Sequence, residues 1–231
     1  MNNQKIKNNH QVFKSIMLAV TCFFVTSVSQ ATLLSVSNIT NNTGTDLSSQ
    51  LLVDYSSVAG GVEFSFTNNI GIASSITDVY FDLGSNTGLF SGISITGQTA
   101  GVSFDLFPSP SDLPGGNTVG FTSDFGADST SPVSQNGVDA LGEELTILAM
   151  LGSGFTYDNF LADLMSGVFR VGLHVQAIAG INCENSMDKE CGSDSYTNVS
   201  AVPVPAAAWL FGTALIGFFG VSRRNKVQQM A

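Results

Sequence analysis

The chain has 231 residues and a formal net charge of −10, and this charge is distributed unevenly. Residues 32–201 hold all 18 acidic residues but only two basic ones, Arg170 and Lys189, which leaves this part with a net charge of −16. Phosphate backbones and anionic lipid surfaces repel such a body, so nucleic-acid binding is excluded and an anionic membrane surface is a poor partner.

Residues 1–31 have the layout of a secretory signal peptide. Lys5, Lys7 and Lys14 form a basic start, and the apolar stretch SIMLAVTCFFVTSVS follows. This stretch is short and rich in serine and threonine, which argues against the alternative of a permanent N-terminal anchor. The small residues of SQA predict cleavage after Ala31.

An apolar period of two dominates residues 32–201. In GVEFSF, Val62, Phe64 and Phe66 alternate with polar residues, and TDVYFDL, GISITG, GVSFDLF, ELTILAML and FRVGLHVQA repeat the pattern. Turns rich in glycine, asparagine and proline separate these segments. Many short, half-buried strands at this spacing predict one mainly β domain, an antiparallel, jelly-roll-like β-sandwich.

One segment, TYDNFLADLMSG, has helical spacing instead. Its apolar side chains recur at i, i+3, i+4 and i+7, namely Tyr157, Phe160, Leu161 and Leu164. Thr156 is expected to cap the start of this helix and Gly167 to end it. We predict a short helix that lies across one end of the sandwich and covers the core.

Two cysteines remain in the body, because Cys22 leaves with the signal peptide. An even pair in an exported protein predicts a disulfide between Cys183 and Cys191. Closing so short a loop would stabilise the fold by about 2.5 kcal/mol at most. The alternative is a pair of free surface thiols.

The sequence contains no recognisable catalytic constellation. His174 is the one histidine of residues 32–201, and no Gly-x-Ser-x-Gly motif accompanies it. It is expected to be a surface residue on the polar side of a strand. One histidine and two oxidised cysteines are too few for a zinc site, so we expect no catalytic residues and no enzyme.

Calcium is the one cofactor that the residues leave open. Asp124 and Asp128 in SDFGADS place oxygen ligands on a predicted loop, as do Asp139, Glu143 and Glu144 in VDALGEE. Calcium accepts carboxylates in irregular geometry, although EF-hand spacing is absent. The alternative interpretation is that these acids are solvated loop charges, and no other cofactor is expected.

Carbohydrate binding is a further possibility for a secreted β-sandwich. The best candidate for an aromatic platform is Tyr80, which alternation places on an outward face with Asp78 and Asp82. A hydrolase that uses a pair of acids also stays open, but nothing in the sequence selects the pair.

The C-terminal residues 202–226 combine prolines, an apolar segment and a basic cluster. Residues 204–221 are apolar or small except for Thr213, and a helix of that length spans ~27 Å, close to the hydrocarbon core of a bilayer. Trp209 lies near its outer end, and the basic stop, Arg223, Arg224 and Lys226, holds the other end in the cytoplasm. Residues 202–205 (Val202, Pro203, Val204 and Pro205) form an extended stretch just outside the predicted membrane helix.

The segment VPVPAAAWLFGTALIGFFGVSRR resembles the PEP-CTERM sorting signal of Gram-negative bacteria, with Val204 where the namesake motif has glutamate. The pieces LPGGNTVGFTSDFGADS, SQNGVDALGEELTI and FRVGLHVQAI resemble a domain often found with this tail. The resemblance implies that an exosortase, a membrane cysteine protease, recognises and cuts the tail. It also implies anchoring on the periplasmic side of the inner membrane before processing.

Taken together, the residues and this resemblance predict an exported, non-enzymatic protein of the cell surface or of an extracellular, biofilm-type matrix. The alternative is a calcium-assisted module that binds extracellular polysaccharide.

Overall fold

The computed structural model describes residues 31–69, 71–107, 111–179 and 192–198. The predicted signal peptide except Ala31, the cysteines Cys183 and Cys191, and the predicted sorting segment 202–226 lie outside these residues. Ala31 is exposed and directly precedes the first strand. Within the described ranges, no helix combines the length and the apolar character needed to cross a bilayer.

The described residues form eleven strands, which confirms the predicted mainly β fold. The strands are β1 (Thr32–Leu34), β2 (Val36–Asn38), β3 (Leu51–Val58), β4 (Gly61–Asn68), β5 (Ser75–Asp82), β6 (Phe90–Gln98), β7 (Phe104–Phe107), β8 (Phe125–Ser129), β9 (Glu144–Leu151), β10 (Arg170–Ile178) and β11 (Gly192–Asn198). Two short helical turns, a 3-10 turn at Gly116–Val119 and α1 at Val133–Asn136, and one longer helix, α2 (Tyr157–Ser166), connect them.

The strands build two antiparallel sheets. The five-stranded sheet has the order β1-β3-β4-β9-β6, and the six-stranded sheet has the order β2-β11-β10-β5-β8-β7. The second and the last strands of the described body meet, because β2 pairs with β11 and Val36 lies opposite Asn198. The chain therefore enters and leaves the sandwich on the side of β1, β2 and β11, and β6 and β7 form the opposite edges.

The core lies between the two sheets, as the alternation predicts. Val62, Phe64 and Phe66 on β4 are fully buried, and the rings of Phe64 and Phe81 meet across the sheets with centroids 5.2 Å apart. On β10, the alternating residues Val171, Leu173 and Val175 are also fully buried. Burial of these apolar side chains is the main driving force for the fold.

Helix α2 confirms the predicted caps and the predicted contact with the core. Thr156 accepts a hydrogen bond from the backbone of Asn159, whose side chain in turn accepts one from the Thr156 backbone. Gly167 ends the helix in the left-handed conformation with φ 75°. Phe160 is fully buried, and its ring centroid lies 5.2 Å from that of Phe169.

The prediction that the polar side of β5 faces solvent was wrong. Tyr80 is 6% exposed and Asp82 only 1% exposed. The loop 111–124 crosses the outer face of the six-stranded sheet and packs Leu113 and Phe121 on Tyr80. The alternation of apolar and polar residues predicts which side of a strand faces the core. It does not predict that the loop 111–124, a distant part of the chain, covers the other side.

Candidate functional site

Four ionisable side chains lie side by side on the outer face of the six-stranded sheet. Asp105 on β7 is the register partner of Asp128 on β8, Asp128 is the partner of Asp78 on β5, and Asp78 is the partner of His174 on β10. Directly opposite residues in antiparallel strands share a face, with their Cβ atoms about 4.5–5.5 Å apart. We call Asp105, Asp128, Asp78 and His174 the ionisable row.

The centre of the ionisable row is a hydrogen-bonded pair of Asp78 and His174. The Nδ1 atom of His174 lies 3.1 Å from Oδ2 of Asp78, and the hydroxyl of Thr77 donates to the same oxygen at 2.7 Å. Burial alone would raise the pKa of Asp78, but these two partners outweigh burial and lower it. His174 therefore lies on the polar face of β10, as predicted, and there it is a part-buried partner of a carboxylate.

Asp128 has the opposite character. Burial, followed by the negative charge of Asp78, raises the pKa of Asp128 to about 6. Two carboxylates this close resist simultaneous ionisation, so the Asp78–Asp128 pair takes up a proton in mildly acidic solution. The structure thus creates a proton-binding pair just below neutral pH.

A small cleft opens beside this pair. Its volume is about 40 Å³, and it is lined by Asp78, Tyr80, Phe107, Ser111, Gly126, Ala127 and Asp128. A water molecule needs roughly 10–15 Å³ of such space, so the cleft has room for a few waters or one small ion.

Tyr80 cannot serve as the predicted aromatic platform in this conformation. Its ring is buried under Leu113 and Phe121, and its hydroxyl lies 3.3 Å from Oδ1 of Asp78. Burial, and next the charge of Asp78, raises the pKa of the Tyr80 hydroxyl. The residue therefore supports the loop cover and keeps a proton next to the ionisable row.

Arg170 fastens the loop cover to the sheet. Its Nε and Nη2 atoms donate to Oδ2 of Asp82 at 3.1 and 2.5 Å, and its Nη1 donates to the carbonyl of Val119 at 2.8 Å. The Nη2 atom also donates to the carbonyl of Gly120, and the guanidinium lies 5.2 Å from the ring centroid of Phe121. A single arginine therefore links β5, β10 and the loop.

The structure does not bring the predicted calcium ligands Asp124 and Asp128 together. The two residues lie four positions apart on nearly extended chain, which separates their Cα atoms by ~13 Å. The carboxylate of Asp124 accepts from the backbone of Leu83 at 2.7 Å, whereas Asp128 belongs to the ionisable row. In the described part of the chain, no group of three or more histidine, cysteine, aspartate or glutamate side chains has a metal-binding arrangement.

The second predicted group of acids is divided between two places. Oε2 of Glu143 accepts from the backbones of Asp139 and Ala140, both at 2.8 Å, so Glu143 closes its own turn. Burial and the adjacent Glu143 raise the pKa of Asp139 to about 6. Glu144 instead binds the hydroxyl of Ser65 on the five-stranded sheet.

Ser195 extends the ionisable row in the order acid, base and hydroxyl. It is the register partner of His174 on β11. Its side chain is fully buried, and its Oγ has no hydrogen-bond partner. A nucleophile must contact both its base and a substrate, so this serine lacks the position that covalent catalysis requires.

Sequence reasoning missed the pairing of Asp78 with Asp128 and its extension to Asp105. The three aspartates lie on different strands and are spaced by tens of residues, so only the register of the sheet brings them together. The usable signal was an aspartate inside each of these three strands.

Comparisons with protein-family models, with curated proteins and with solved structures found no match to this chain.

Proposed function

We propose that this protein is an exported, non-enzymatic component of the cell surface or extracellular matrix, sorted by its C-terminal segment. The observation that carries the proposal is the position of the described sandwich relative to the two predicted signals. Strand β1 starts at Thr32, directly after the predicted cleavage site at Ala31, and β11 ends at Asn198, four residues before Val202. The two predicted signals thus flank a sandwich whose core is built from residues between them.

The body also has the surface expected of a hydrated matrix module. Its acidic excess makes copies repel each other over most of their surfaces, and divalent cations would bridge them.

The test is to express the full chain in a host with its sorting protease and in a matched host without it. Intact mass and terminal sequencing of the product are then compared. We expect a new N-terminus at Thr32 in both hosts and loss of the segment after residues 202–205 only in the first. The double variant Pro203→Ala/Pro205→Ala should slow the second cut, while Pro114→Ala, at an exposed position in the loop 111–124, should not.

Two results would contradict the proposal. An intact tail in both hosts would leave a simple anchored protein, and an uncut N-terminus on a cytoplasmic product would refute export altogether.

The alternative, a calcium-assisted module for extracellular polysaccharide, has weaker support. Its aromatic candidate Tyr80 is buried, and the cleft beside Asp128 is small, at about 40 Å³. A thermal melt with calcium and with EDTA tests it, since an unchanged melting temperature contradicts the calcium requirement. The polysaccharide part of this alternative is tested by comparing the binding of matrix polysaccharide to the wild-type protein and to Tyr80→Ala.

A further inference from the structure

We propose that β6 is the contact edge of a homodimer, in which two copies pair their β6 strands antiparallel. Four strands stand at the edges of the two sheets, and three of them are only three or four residues long, namely β1, β2 and β7. Strand β6 has nine residues, Phe90–Gln98, and among the described residues it pairs only with β9. A long open edge presents unpaired backbone groups to another strand.

The β6 edge is also free of charge in a strongly acidic body. No charged residue occurs between Leu83 and Phe104, and none occurs in the neighbouring strand β9 from Leu145 to Leu151. Edge strands that resist pairing commonly carry lysine or other charged side chains. The body of each copy, residues 32–201, has a net charge of −16, so two copies repel each other in most orientations. The uncharged β6 flank is where they approach at the lowest electrostatic cost.

Apolar side chains at this edge are incompletely covered. Ile93 and Ile95 are only partly buried, although their register partners Ala149 and Ile147 on β9 are fully buried. Leu106 on the adjacent edge strand β7 is 40% exposed. A strand added at β6 would cover these side chains, so pairing would bury apolar surface as well as satisfy backbone groups.

A second copy fits this edge better than the chain's own C-terminal segment. The segment after Asn198 starts from β11, which lies beside β2. Strands β6 and β7 form the other side of both sheets. Pairing of β6 with its own copy is isologous, so it closes as a dimer.

Two register shifts limit how far the pairing extends. They fall between Phe90 and Gly92 and between Ile95 and Gly97, and they leave Gly92–Ile95 as the regular stretch. β-Bulges twist an edge and end its pairing. The dimer contact is therefore short and centred on Ile93 and Ser94, and it does not propagate into a fibre.

The test uses the full chain in detergent, with a photo-crosslinking amino acid at Ser94 or, as the matched control, at Thr32 on the opposite edge of the same sheet. We expect a crosslinked dimer for Ser94 whose yield rises with protein concentration, and none for Thr32. Equal yields at both positions, or no dimer at Ser94 at any concentration, would overturn the proposal.

Light scattering on Ser94→Lys and Thr32→Lys gives an independent measurement. Lysine at Ser94 places two like charges in the contact and should weaken dimerisation at least tenfold, whereas Thr32→Lys should have no effect. Equal dimerisation of both variants, with native circular dichroism, would overturn the proposal. The result does not depend on sorting, because dimerisation is measured without the protease.

Discussion

Replacing Arg170 with methionine should destabilise the protein strongly. The guanidinium pairs with the buried Asp82 carboxylate and binds two carbonyls of the loop cover, at Val119 and Gly120. Methionine keeps much of the apolar stem but removes every one of these donors. Asp82 would remain as a buried carboxylate without its counter-charge.

The magnitude follows from these contacts. Breaking a buried ion pair by removing one partner costs about 3–5 kcal/mol. Here the arginine side chain is 18% exposed, and Asp82 keeps the backbone donors of Gly84 at 2.8 Å and Thr122 at 3.2 Å. Both facts reduce the cost, so we expect a loss of about 3 kcal/mol in the free energy of unfolding.

Urea unfolding followed by circular dichroism measures this loss. With an m-value of about 2 kcal/mol/M for a domain of this size, the midpoint should fall by about 1.5 M. Arg170→Lys keeps the charge but loses the planar guanidinium group. Its urea midpoint should therefore lie between those of the wild type and Arg170→Met. The double variant Arg170→Met/Asp82→Asn should recover part of the loss, because it leaves no uncompensated charge.

A loss below about 1 kcal/mol for Arg170→Met would refute the reasoning, since that value is typical of an exposed pair. Additive losses in the double variant would also refute it, because they would mean that the two side chains do not act together.

Three further predictions concern the core, the loop cover and the ionisable row. Phe160→Ala should lower the free energy of unfolding, measured in urea, by about 3–5 kcal/mol. Met165→Ala, on the exposed side of the same helix, should change it by no more than about 0.5 kcal/mol. Equal losses in the two variants would refute the packing of α2 on the core. Gly172→Ala should cost about 1–3 kcal/mol, because an added Cβ would lie 2.8 Å from Leu113 and 2.9 Å from Phe121, while Gly92→Ala meets nothing within 4 Å and should be near neutral. Asp128→Asn should stabilise the protein above pH 6 by about 1 kcal/mol after allowance for solvent screening, since a carboxyl with a raised folded pKa destabilises in its ionised form. This gain in the free energy of unfolding should disappear as the pH falls from 6 to below 3.8. A gain that does not depend on pH would contradict the raised pKa of Asp128.

The elements that sequence analysis predicted well are those whose signal is local. Strands β4 and β10 alternate cleanly because one side of each faces the core, and α2 carries its own start and stop in Thr156 and Gly167. Strand β11, GSDSYTN, gives almost no such signal. Its polar side chains are used for hydrogen bonds, as when Asp194 binds Thr40 at 2.7 Å and Asn198 accepts from the Val171 backbone at 2.7 Å.

The site could be predicted only in part, for a related reason. The acids were visible in the sequence, but the pairing of Asp78 with Asp128 depends on the register of strands 50 positions apart. The burial of Tyr80 depends on a loop that returns over the sheet, held by Arg170. Both are consequences of tertiary structure that no local window contains.

The position of β11 between β2 and β10 has a consequence for the biosynthesis of this protein. Among the described residues, strand β2 has no other partner in its sheet, and the contact of Asn38 with Tyr196 joins positions 158 residues apart. The six-stranded sheet therefore cannot close until residue 198, the end of β11, has left the ribosome. Contacts this distant form slowly. If the protein is exported as proposed above, a nascent chain that stays open until β11 arrives is suited to passing through a narrow secretion channel before it folds.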